Sequence, residues 1–120
     1  MKTAIYIFIG GGLGSMLRYA VSQASSRFFT SQFPIGTFAA NFFASVLLGF
    51  VMAKLLLTDN NTLKALIAVG FCGGFSTFST FSSDTFRLFS EGRSSEALLN
   101  IFLNVSACLL AIYIGFEIGK

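Results

Sequence analysis

Residues 70–84 read GFCGGFSTFSTFSSD, and the reading of this stretch decides the fold. It falls largely within a charge-poor run, 65–83, of about the length a helix needs to cross a bilayer. Yet it carries the adjacent glycines Gly73 and Gly74, six hydroxyl side chains from Ser76 to Ser83, and a Phe at every third position from Phe75 to Phe81. Glycine permits backbone angles that other residues avoid, and a Ser or Thr just after it can cap a new helix. GGFST therefore reads as a helix break with a restart. At membrane depth such a break requires protein or trapped water to satisfy the freed backbone groups. The same residues also fit a continuous helix that uses Gly70 and Gly74 as a small-xxx-small packing pair. The residues leave both readings open.

Outward from this stretch, the chain of 120 residues is 54% hydrophobic and 11% charged, too apolar for an ordinary soluble domain of its size. Four charge-poor stretches, 3–17, 28–53, 65–83 and 97–116, read as four transmembrane helices, the first with Arg18 snorkelling or facing protein. The first is taken as a span rather than a signal peptide, because residues 10–14 interrupt it with glycine and no A-x-A-like cleavage site follows. The connections SSRFFTSQFP, LTDNNT and SEGRSS are short, so the function is expected to lie in the helices rather than in soluble enzyme chemistry. A net charge of +3 without a basic cluster gives no nucleic-acid character.

With four spans, Lys2, Lys54, Lys64 and Lys120 fall on the side of the termini, and Arg18, Arg27, Arg87 and Arg93 on the other. Four basic residues against four give the positive-inside rule no bias. The expectation is insertion in both orientations and assembly as an antiparallel dimer.

At four-residue spacing, three helices carry small or polar lines: Gly10, Gly14, Arg18 and Ser22; Thr37, Asn41 and Ser45; Asn100, Asn104 and Cys108. Such lines mark protein-facing sides and suit close packing and interhelical hydrogen bonds. Asparagines and an arginine at this depth are costly against lipid, and read as lining a polar path. Past the break, Phe75, Phe78 and Phe81 share one side, with Thr77, Thr80 and Asp84 close beside them. Phenylalanine stripes commonly mean core or lipid contact, but ring edges are positive, and with hydroxyls and amide N–H groups they form a set of weak donors for a small anion. Metal and nucleotide chemistry lack their residues. There is no His, Cys72 and Cys108 sit in different spans as buried thiols, and GGGLGS has neither the dinucleotide glycine pattern nor a phosphate-loop Lys.

Over essentially its whole length the sequence resembles the CrcB/Fluc fluoride channels. The matching segments are GGGLGSMLRY, PIGTFAANFFASVLLG and, most specifically, GFCGGFSTFSTFS. The resemblance implies an all-α membrane protein, a dual-topology antiparallel homodimer with two fluoride pathways in the plasma membrane, and a central sodium ion held by main-chain carbonyls. Position by position, it puts those carbonyls on Gly73 and Ser76, and the pore on Phe78, Phe81, Asn41, Ser79, Thr80, Asn100, Asn104 and Arg18. The departures are Ser76 for a usual Thr, Asp84 for a common Glu, and Ala107 and Cys108 where Gly and Ser are frequent. The activity implied is passive release of fluoride that entered as HF and was trapped as the ion. A proton-coupled multidrug exporter would need a membrane-embedded carboxylate, and the first acidic residue here is Asp59, in a loop. A purely structural subunit would leave Asn41, Asn104 and the glycine break without a task.

Overall fold

The computed structural model describes residues 1–30 and 32–120. Apolar sequence and backbone self-satisfaction give the expected result, since in lipid a single segment bonds its own N–H and C=O groups only as a helix. Helix α1 runs Lys2–Phe28, α2 runs Ile35–Thr58, α3 spans residues 61–75, α4 runs Phe78–Ser90 and α5 runs Ser94–Gly119. With α3 and α4 taken together as Asn61–Ser90, four helices among the described residues are long and apolar enough to cross a membrane. The longest dimension, 48 Å, suits a bilayer with its interfaces.

The span limits differ from the sequence expectation most at three places. Helix α1 continues ten residues beyond Arg18 to Phe28, because Ala20, Gln23 and Ala24 favour helix and Arg27 sits favourably at its C-terminal end. Helix α2 begins at Ile35 rather than at residue 28, since Pro34 lacks the N–H of a helix interior and stands at the N-cap. Helix α4 reaches Ser90, where Gly92, at φ 75°, closes the turn and the Arg93 N–H donates to the Leu88 carbonyl at 2.9 Å.

Two seams organise the bundle. Helix α1 lies along α3, and α2 along α5, while α4 packs chiefly on α5. In the first seam a Cβ at Gly14 would run into the Phe71 carbonyl, and one at Gly74 into the Gly11 carbonyl. In the second, a Cβ at Gly115 would run into the Val46 carbonyl. Glycine is needed here for close backbone approach, the usual basis of helix association where no hydrophobic drive separates helix from lipid. Between the seams, Ala40, Ala44 and Phe75 form a buried cluster against Val21 and Phe71.

Replacing Gly115 by Leu is expected to destabilise the bundle by about 1–3 kcal/mol through overpacking. Gly11→Ala, whose Cβ would meet the Gly70 carbonyl at an ordinary 3.7 Å, is expected to cost far less. The check is the thermal midpoint of each purified variant in one detergent, and equal midpoints would contradict the seam.

Candidate functional site

The break lies one step beyond the glycines. Gly73, at φ −64° and ψ −34°, is helical, and the extended residues are Ser76 (φ −86°, ψ 156°) and Thr77 (φ −155°, ψ 121°). Gly73 and Gly74 therefore do not supply unusual backbone angles. Gly74 packs on α1, and a Cβ at Gly73 would meet nothing within 4 Å in the chain. The break and the small-residue packing both hold.

Side chains replace two of the helical bonds lost at the break. In a continuous helix the Thr77 N–H would donate to the Gly73 carbonyl, and the Thr80 N–H to the Ser76 carbonyl. Here the Thr77 N–H donates to Asn41 Oδ1 at 2.8 Å, and the Thr80 N–H donates to Thr77 Oγ1 at 3.2 Å, an N-cap for α4. The Ser76 N–H still donates to the Cys72 carbonyl at 2.9 Å, joined there by Ser76 Oγ at 2.6 Å.

Asn41 begins a chain of hydrogen bonds that all run one way. Asn41 Nδ2 donates to Asn104 Oδ1 at 3.0 Å, and Asn104 Nδ2 donates to both Asn100 Oδ1 and the Asn100 carbonyl at 2.9 Å. Asn100 Nδ2 donates to Thr85 Oγ1 at 2.9 Å, which donates to the Phe81 carbonyl at 2.8 Å. A backbone N–H that can only donate stands at one end and a carbonyl that can only accept at the other, so every amide between them has a fixed orientation. Both of the Asn104 N–H groups are committed, whereas Asn41 Nδ2 has committed one of two.

Beside Asn41 opens a cleft of about 220 Å³, lined also by Ser45, Thr77, Phe78, Phe81 and Asn104, with Val105 and Cys108 on the α5 side. The Phe78 and Phe81 rings are 5.5 Å apart at 50° to each other. Phe78 remains 79% exposed, so one chain does not close the cleft around it.

Of the residues singled out in the sequence, Asn41, Asn104, Phe78 and Phe81 meet in this cleft. Asn100, 1% exposed, lies behind Asn104. Thr80 and Arg18 line a separate cavity of about 210 Å³ with Thr37, and Thr80 also lines one of about 260 Å³ with Asp84 and Arg87. Ser79 is exposed, with its hydroxyl 3.0 Å from Thr77 Oγ1. The Thr77 hydroxyl donates to Thr80 Oγ1 at 3.3 Å, joining the cleft wall to the polar cavities. Asp84, despite its short side chain, accepts from Thr37 Oγ1 at 2.9 Å.

Sequence reasoning passed over Thr85, although its place four residues after Phe81 on the buried face was a usable signal. Its hydroxyl both accepts and donates, so it completes the relay.

Among the described residues no group of three or more His, Cys, Asp or Glu could hold a metal ion. A hard cation would instead have to use carbonyls. Gly73 and Ser76 fit that requirement, since the N–H groups that would occupy their carbonyls in a helix are captured by Asn41 and Thr77.

Thr85→Val is expected to destabilise the protein by about 1–3 kcal/mol, because Asn100 Nδ2 loses its acceptor while buried. Thr85→Ser keeps the hydroxyl and is expected to lose much less. Chemical or thermal unfolding distinguishes them, and identical stability of the two variants would exclude a relay through Thr85.

Residues 5–116 match the family described as CrcB-like protein, camphor resistance (CrcB). Three similar proteins bear the name fluoride-specific ion channel FluC. That of Shewanella frigidimarina is 40% identical over 98% of this chain and 96% of its own. Those of Pyrococcus furiosus and Methanococcus aeolicus are 38% and 42% identical, over 100% and 96% of this chain and 98% and 93% of theirs.

Proposed function

The chain belongs to the CrcB family, and from that premise we propose that it is a fluoride-specific channel of the plasma membrane, releasing fluoride passively down its electrochemical gradient. It is not an enzyme. One observation carries the mechanism: Asn41, its oxygen committed to Thr77 and one N–H to Asn104, keeps its other N–H for a cleft walled by Phe78 and Phe81.

Fluoride is small and strongly hydrated, so its pathway must replace water with several donors at once without holding the ion too tightly to leave. The Asn41 N–H is one donor, and the positive edges of the Phe78 and Phe81 rings supply others without a formal charge. Asn104 acts by holding Asn41, and Asn100 by holding Asn104. Thr80, with Ser79 beside it and Arg18 further along, belongs to the approach from the adjoining polar cavities.

The working unit is a homodimer of antiparallel copies embedded in lipid, each chain inserted in either direction. Support comes from the four-against-four basic balance and from the open cleft, which leaves Phe78 exposed. A structural sodium ion would be held by the carbonyls of Gly73 and Ser76 and would supply positive charge in an interior that otherwise disfavours anions.

The test is initial fluoride efflux from liposomes containing the purified protein, with chloride as control. Phe78→Ile and Phe81→Ile are each expected to reduce fluoride flux at least about tenfold, ~1.4 kcal/mol in barrier terms, because bulk stays while the ring edge goes. Asn41→Asp is expected to be as severe, since it turns the donor into an acceptor, whereas Phe89→Ile is expected to change little. Flux within about twofold of the parent for both pore Phe variants, a margin of ~0.4 kcal/mol, would rule out the ring-edge mechanism.

Orientation has its own measurement. A reporter fused to the C-terminus is expected on both sides of the membrane, and two or three lysines added to one loop are expected to shift the population to one side. A single orientation in every parent molecule would contradict dual insertion.

A further inference from the structure

We infer that Thr77 and Asn41 are positioning residues for the cation site, each keeping open one of the carbonyls that would hold the ion. This rests on the carbonyl site proposed above and assigns the side chains that create it. A helix interrupted in an apolar surrounding tends to close again, because its freed N–H and C=O groups satisfy one another. Two closures would occupy the carbonyls in question: Thr77 N–H to Gly73, and Thr80 N–H to Ser76. Each N–H is instead taken by a side-chain oxygen, Asn41 Oδ1 at 2.8 Å and Thr77 Oγ1 at 3.2 Å. The carbonyls are thus made available by competition at the N–H groups.

Asn41 thereby joins two sites through one amide. Its oxygen acts on the cation side, and its nitrogen faces the anion cleft while held by Asn104. The orientation that presents N–H to the cleft is the same one that withdraws the Thr77 N–H from Gly73. The two functions share one rotamer and can be separated by chemistry: a carboxylate at 41 keeps the acceptor and loses the donor, whereas an apolar side chain loses both. At Thr77, Ser preserves the capping oxygen and Val removes it at nearly constant shape.

The experiment is a titration of the thermal midpoint of the intact, purified protein with sodium chloride against choline chloride at constant ionic strength. It yields a half-saturating sodium concentration independent of fluoride flux. Thr77→Val and Asn41→Leu are expected to raise that concentration at least about tenfold, while Thr77→Ser and Asn41→Asp stay within about threefold of the parent or below it. Asn41→Asp should nevertheless lose fluoride flux. If Thr77→Val does not assemble, the Asn41→Leu and Asn41→Asp pair carries the same comparison. A sodium-responsive parent whose Thr77→Val and Asn41→Leu variants titrate unchanged overturns this inference alone. A parent indifferent to sodium overturns the carbonyl site and the inference together.

Discussion

A single backbone N–H, that of Thr77, governs the arrangement of the third span. If it bonded to the Gly73 carbonyl, α3 and α4 would form one helix continuing along α1. Bonded to Asn41 Oδ1 on α2, it lets the chain turn through two extended residues so that α4 packs on α5. At membrane depth no bulk water competes for that N–H, so the choice lies between two protein oxygens and the unbonded alternative is costly. The relay through Asn104, Asn100 and Thr85 then fixes which way Asn41 faces.

That constraint explains the composition of residues 70–84. Hydroxyls that weaken a helix interior are well suited to a helix start, and Thr77 uses its own to cap α4. The glycines serve a different purpose. Gly70 and Gly74 let α3 lie against α1, where the Cβ of any other residue would press on the Ile7 or Gly11 carbonyl. Backbone proximity in the seam and backbone interruption at the break are therefore assigned to neighbouring but separate residues. Phe78 and Phe81 follow the restart, and their i, i+3 spacing brings the rings together on the cleft side.

The four spans were legible because bilayer thickness demands long charge-poor runs and few sequences supply them by accident. Their ends were less so: Arg18 does not stop α1, since a long side chain with a polar tip tolerates the edge of a bilayer. The residues of GGFST allow a break with a Ser or Thr cap as well as a continuous helix, and they assign the unusual backbone angles to Gly73 and Gly74; that the chain breaks at Ser76 and Thr77 depends on Asn41, 36 residues away from Thr77. No local pattern encodes that partner. Asn100 was recognised as a polar residue at depth, but whether it faces the cleft or the back of Asn104 is a matter of helix rotation. Thr85 was overlooked because threonine in a helix commonly returns its hydroxyl to the preceding turn, which it does here while also accepting from Asn100.

Helix α3 contains one further feature with consequences for how this chain tolerates change. Over Lys64–Cys72 it is wound with i to i+5 hydrogen bonds before returning to α geometry for Gly73–Phe75. The wider winding takes up more residues per turn than an α-helix covering the same length. It is thus a store of slack in the sequence register. Losing one residue within 64–72 allows the segment to tighten toward α geometry, with the seam glycines and the break still near their places along α1. The same loss between Phe78 and Thr85 would turn every following side chain by about 100° and dismantle the Phe81 and Thr85 face. Length variation among natural relatives of this chain should therefore gather in the first half of the third span and be absent from the second.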